Sequence, residues 1–200
     1  MGHRQDLLAA ARRLLEDKGY AHITARDLVA ASGTNLRSIG YHFGSKAGLL
    51  NEAIGEVLEE WTEQLARVAM ADPHASPAER GLLTWTVMLE NLSSRRALLL
   101  SYVEALAQAE RTPSLRAQFA DQYRRLRARV AELVAESIGE GVRPADSRCV
   151  TIASLVIAVC DGLSVQWLLD PAASPSGSDL DEGLRFLWST SFTGTEPAGS

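Results

Sequence analysis

A chain of 200 residues with 46% apolar and 22% charged side chains has the length of one or two domains and enough apolar surface for a real core. Its net charge of −5 is unevenly spread: seven basic and four acidic side chains give the first 50 residues +3 and leave −8 for the rest, as suits an N-terminal part that meets a polyanion. No apolar run reaches the roughly 18 uncharged residues of a membrane span, charge interrupts the opening MGHRQDLLAAARRLLEDKGY, and neither the two cysteines nor the four scattered histidines have metal-ligand spacing, so a reduced cytoplasmic protein without membrane, metal or cofactor is expected.

Helical signals run from end to end. Leu7, Leu8, Ala11, Leu14 and Leu15 recur at helical spacing, and Gly19 stops that first helix. Thr24-Ala25-Arg26-Asp27 is a short form of the capping box and opens a second helix over 24–32, with Leu28 and Val29 available to the core. Gly33 offers a turn conformation that residues with a Cβ adopt reluctantly, Asn35 caps a third helix over 35–43, and Ser45 caps a fourth starting at Lys46.

Two helices joined by a tight turn make a helix-turn-helix, whose second helix needs one apolar face to hold it on the domain and one polar face for the major groove. Ile39 and Phe43 supply the first face; Arg37, Ser38, Tyr41 and His42 supply the second. Arginine can donate two hydrogen bonds to a guanine edge, and serine, tyrosine and histidine can donate to phosphate or base atoms.

Residues 23–50, ITARDLVAASGTNLRSIGYHFGSKAGLL, hold a glycine turn, a Tyr-His-Phe run and a following Ser-Lys at one characteristic spacing. In this the chain resembles the TetR-type transcriptional regulators. The resemblance implies an all-α protein: an N-terminal three-helix helix-turn-helix domain over 1–46, and a larger helical effector-binding and dimerisation domain over 47–193. It further implies operator contacts from Thr24, Arg26, Thr34, Asn35, Arg37, Ser38, Tyr41 and His42, with Lys46 on a phosphate. Capping or packing would explain Thr24 and His42 nearly as well. Two positions depart from the family pattern. Gly40 stands where a tyrosine often reaches the sugar-phosphate backbone, and Leu36 stands where a polar residue is common. Leu36 can turn inward with Ile39 or offer an apolar contact to a thymine methyl group.

Further helices are expected over about 45–70, 77–92, 95–110, 114–139, 145–169 and 178–191, making nine, with a disordered tail over 194–200. The stretch CVTIASLVIAVCDGLSVQWLLDP is apolar around most of its circumference, and self-association is the natural way to bury it. The family's two-fold four-helix bundle would place Val156, Val159, Leu163, Trp167, Leu184 and Trp188 at a homodimer interface. Trp61, Trp85, Met88, Leu89, Tyr102, Phe119 and Tyr123, on the middle helices, either line an effector cavity or fill a core, and Gln166 joins them as a polar candidate. Asp161, Gln166 and Asp170 are polar groups in an apolar helix, where burial demands a partner.

The functional expectation is a dimeric repressor released from a palindromic double-stranded DNA operator by a small hydrophobic effector of unknown identity. A constitutive DNA-binding protein or an activator is the alternative. No paired carboxylates, nucleophile triad or phosphate-binding loop suggests an enzyme.

Overall fold

The computed structural model describes residues 2–191, apart from the side chains of Trp188, Thr190 and Ser191. The expected tail, and the Trp188 side chain proposed for the interface, lie outside the described residues. Within them are nine α-helices: α1 (His3–Lys18), α2 (Ala25–Ser32), α3 (Leu36–Phe43), α4 (Lys46–Ala69), α5 (Pro77–Asn91), α6 (Arg96–Glu110), α7 (Pro113–Ile138), α8 (Ser147–Leu169) and α9 (Gly177–Ser191). Two short 3-10 turns, Tyr20–His22 and Ser93–Arg95, complete the regular structure of these residues, which contains no strand.

Helix starts follow the capping chemistry. Thr24 Oγ1 accepts the Asp27 amide at 3.1 Å while Asp27 Oδ2 accepts the Thr24 amide at 2.8 Å, the expected capping box. Asn35 and Ser45 cap α3 and α4, and a second capping box, Ser76 with Glu79, starts α5 with Pro77 in its first turn. Gly33 takes the left-handed conformation, φ 66°, that lets α2 turn directly into α3. The 3-10 turn at Tyr20–His22 was not expected. It buries Tyr20, whose hydroxyl donates to Asn51 Oδ1 at 3.0 Å and whose burial pushes its pKa up to about 12.

Three apolar clusters hold the helices together. The first joins α1, α2, α3 and the opening turns of α4 through Leu7, Leu15, Leu28, Ile39, Leu50 and Ile54, and continues into α6 and α7 at Ala105, Leu115 and Phe119. The boundary expected at residue 46 therefore falls at the first residue of a helix that both halves share. The second cluster lies between α7 and α8, and the third gathers Trp61, Met88, Leu92, Leu99 and Leu163 from α4, α5, α6 and α8.

On α8 the residues expected at the interface pack within the subunit. Leu163 is buried within the subunit, Val159 and Trp167 pack against that same third cluster, and Val156 packs against the second. The outward stripe is Leu155, at 60% exposure, and Leu169, at 81%, with Val165 between them. Because α8 is apolar on nearly every side, its composition does not reveal which side the other helices cover. By length and composition alone it could also cross a membrane, but one side of it packs on α5, α6 and α7. Leu184, half-buried, lies on α9, which packs on α5; there Gly177 meets Thr86 so closely that a Cβ would sit 2.3 Å from its Cγ2.

Candidate functional site

The α2–α3 pair presents one outer surface. Leu28 and Ile39 are buried beneath it, while Arg26, Asn35, Leu36, Arg37 and Gly40 are exposed and Tyr41 is 84% exposed. Leu36 thus turns outward. A Cβ at Gly40 would meet nothing within 4 Å, so the fold itself does not require a glycine there.

Ser38 is a correction. It is only 8% exposed, and its Oγ lies 3.3 Å from both His3 Nδ1 and Asn35 Oδ1. The inward arc of α3 runs through Ser38, Ile39, His42 and Phe43, so Ser38 helps dock α3 on the start of α1. His42 is half-buried, edge-on to the rings of Tyr41 and Phe43 with centroids 4.9 and 6.0 Å away. The Arg4 guanidinium stands over Phe43, 5.5 Å from its centroid, and pairs with Glu52.

Lys46 is half-buried and donates to the Ile23 carbonyl at 2.7 Å, tying α4 to the entrance of α2. Thr34 Oγ1 lies 2.7 Å from Ser32 Oγ, while Thr24 Oγ1 is engaged with Asp27. Lys18 Nζ, 2.7 Å away, and then Thr24 hold the Asp27 carboxyl well below the usual carboxylate range.

A second feature lies inside the helices that follow. A cavity of about 440 Å³ is walled by α4, α5, α6, α7 and α8. Of the residues expected there, Trp61, Met88, Tyr102, Phe119 and Tyr123 line it. Trp85, Leu89 and Gln166 do not: the first two pack against the third cluster, and Gln166 is exposed on α8. On α5 the inward side carries Gly81, Thr84 and Met88, one or more helical steps away from Trp85 and Leu89. Unforeseen wall residues include Leu58, Leu65, Leu126, Ile157 and Cys160, aliphatic or small side chains that are indistinguishable in sequence from core.

Polar groups at the wall are few, and most are already engaged. Arg80 donates to the carbonyls of Asp72 and Ala75, each at 2.9 Å, and to Met70 Sδ. Glu59 pairs with Arg125 at 3.0 Å. Asp161 is different. Its Oδ2 accepts from the Tyr123 hydroxyl at 2.7 Å, and the Tyr123 and Tyr102 hydroxyls bond to each other. Burial pushes the Asp161 carboxyl above its ordinary range, against the opposing effect of the Tyr123 bond, and pushes Tyr102 and the Cys160 thiol up to about 12.

The two features share α4. Its opening turns belong to the core beneath α3, and from Gly55 to Met70 the same segment lines the cavity. Amides from α7 fasten the crossover: Gln118 Nε2 donates to the Gly48 carbonyl and Gln122 Nε2 to the Asn51 carbonyl, both at 3.0 Å. Gly55 makes room for this, since a Cβ there would stand 2.3 Å from Gln122 Nε2. Ion pairs Arg12–Glu60 and Arg129–Glu63 brace the helix on two other sides.

Comparison with known proteins bears on both features. The family description "bacterial regulatory proteins, tetR family" matches residues 7–53, and "BetI-type transcriptional repressor, C-terminal" matches residues 77–179. The chain is 24% identical over 205 residues to the HTH-type transcriptional regulator TtgR of Pseudomonas putida, covering 92% of this chain and 90% of that protein. Among solved structures it is similar to the multidrug binding protein EbrR complexed with imidazole, at 26% identity and a TM-score of 0.62, covering 98% of this chain and 92% of that one. EbrR complexed with proflavin matches at 29% identity and a TM-score of 0.59, over 93% of this chain and 99% of that one. With the N-terminal and C-terminal descriptions both matched, and a helix-turn-helix joined through α4 to a helical second part, the chain belongs to the TetR family of DNA-binding transcriptional regulators.

Proposed function

We propose that the protein is a dimeric cytoplasmic repressor that leaves a palindromic operator when a small hydrophobic effector fills the cavity. The observation that carries this reading is the unbroken α4, which forms part of the core under the recognition helix at one end and part of the cavity wall at the other. A ligand that prefers one position of that wall thereby prefers one position of α3, which is all a population shift requires.

In this reading the working units are residues 1–46 for DNA and 47–193 for effector and dimer, with α4 crossing between them. Arg37 reads a guanine edge, Leu36 meets a thymine methyl group, and Tyr41 and Asn35 contact the strand beside them. Arg26, Thr24, Thr34, His42 and Lys46 serve the sugar-phosphate backbone, Lys46 by exchanging the Ile23 carbonyl for a phosphate. Ser38 acts from within, by docking α3. The subunits meet along the outward stripe of α8, with Leu155 and Leu169 replacing Leu163 as central contacts and Leu184 of α9 beside them. Two recognition helices related by a two-fold axis then meet major-groove faces about 34 Å apart.

The cavity favours the effector-responsive reading over a constitutive one, and the EbrR complexes with imidazole and proflavin support a small-molecule occupant. Selection of bound duplexes from a random pool at near-physiological salt tests the DNA half, with a palindrome as the expected result. With Arg37→Ala, base preference should relax at one position per half-site, at about 1–3 kcal/mol. No motif from a folded dimer would overturn the operator reading.

A further inference from the structure

Asp161 is the one carboxyl at the cavity wall, among the described residues, that has no cationic partner. Tyr123 gives its single hydroxyl proton to Asp161 Oδ2, so the proton between Tyr102 and Tyr123 must come from Tyr102. Both hydroxyls are therefore oriented toward the carboxyl as donors, an arrangement that favours the anion. Among the described residues no lysine, arginine or histidine pairs with Asp161, and its Oδ1 accepts no hydrogen bond. The neutral acid fares no better, because its own O–H finds no acceptor among these residues. In either protonation state Oδ1 is left to whatever fills the cavity, water or ligand.

The surroundings say which ligand suits it. The wall is aromatic and aliphatic: Phe119 and the two tyrosines offer ring faces and edges, while one face of Trp61 is taken by the Arg95 guanidinium, 4.8 Å from its centroid. A carboxylate in such a setting attracts a positive centre strongly because little water competes, and aromatic faces attract the same sign of charge. Among the described residues that line the wall, Arg80 is the basic one, and its guanidinium is taken up by backbone carbonyls and Met70, so an anionic ligand would find no free cation there.

Building on the effector-responsive reading, we infer that the cavity selects a lipophilic cation, with its positive centre against Asp161 and its apolar body along Trp61, Met88 and Phe119. Tyr123 and Tyr102 are positioning residues that hold the carboxylate in place.

The test uses two ions of the same shape and opposite charge, tetraphenylphosphonium and tetraphenylborate, titrated calorimetrically into the full chain, with neutral Nile red as a third probe. The phosphonium should bind the wild-type protein at least about tenfold more tightly than the borate. Asp161→Asn should erase that preference, and Asp161→Glu should keep it. Should Asp161→Asn fail to fold by circular dichroism, the wild-type comparison of the two ions still decides the sign of the charge. A wild type that prefers the borate or does not discriminate, or an Asn variant that keeps the preference, overturns the inference while leaving an effector cavity in place. Nile red bound with neither ion has the same meaning. If none of the three binds, the effector-responsive reading fails as well.

Discussion

Asp27 shows how much a single half-buried side chain can organise. It closes the capping box of α2, takes the Lys18 ammonium and so ties α1 to the helix that leads into the turn. Its folded-state pKa is depressed, so its contribution is fully present above the ordinary carboxylate range and is lost as the pH falls through that range toward the folded value. Asp27→Asn should accordingly melt at a lower temperature than the wild type at pH 7, with the gap narrowing below about pH 4. A gap unchanged at pH 3 would mean that the charge is not what stabilises α2. The Thr24–Asp27 box was legible because the residue types and their spacing specify the bond. The inward turn of Ser38 was not legible for the complementary reason. A serine suits either face of a helix, and only the packing of α3 against His3 decides which face it takes.

At the scale of elements, caps and prolines carried the information. Among the described residues, the nine helices begin, and the first eight end, within a few residues of where Thr24, Asn35, Ser45, Pro77, Pro113 and the glycines suggested. The 3-10 turn at Tyr20–His22 escaped because it depends on a ring buried against Asn51, a contact between distant parts of the chain. The phase of α8 escaped because an almost uniformly apolar helix carries no angular signal, and its neighbours α5, α6 and α7 choose the covered side. The same blindness hid part of the cavity wall, since Leu58, Leu65 and Leu126 have the composition of core. The corrected phase has a direct consequence. Leu155→Glu should yield monomers by light scattering, with weakened operator binding and an intact fold. Leu163→Ala should keep the dimer but cost about 2–5 kcal/mol in denaturant unfolding. The reverse pattern would restore Leu163 to the interface.

For the molecule as a whole, the motif in residues 23–50 made the DNA-binding half readable at a glance. The second half offers only helix count and apolar content, because many sequences can wall a cavity. Joining the halves through α4 imposes a thermodynamic symmetry. If a cavity ligand weakens operator binding by some factor, operator DNA must weaken ligand binding by the same factor, typically about 5–150-fold. Fluorescence anisotropy of labelled operator with and without ligand, and calorimetry of ligand with and without operator, should return one number. Two different factors would mean that the ligand also acts at a site other than the cavity.

The continuity of α4 also works as leverage. Its 24 residues span about 36 Å, so a pivot of about 5° at the cavity end swings the opposite end through about 3 Å. Three ångströms is the length of a hydrogen bond, so on the proposed reading it is enough to carry Arg37 from contact with a base edge to none. On that reading an inducer need not be large or tightly held. What distinguishes it from an inert occupant is the direction in which it leans on Trp61 and Leu65, and two ligands of equal affinity can differ completely in whether they release DNA.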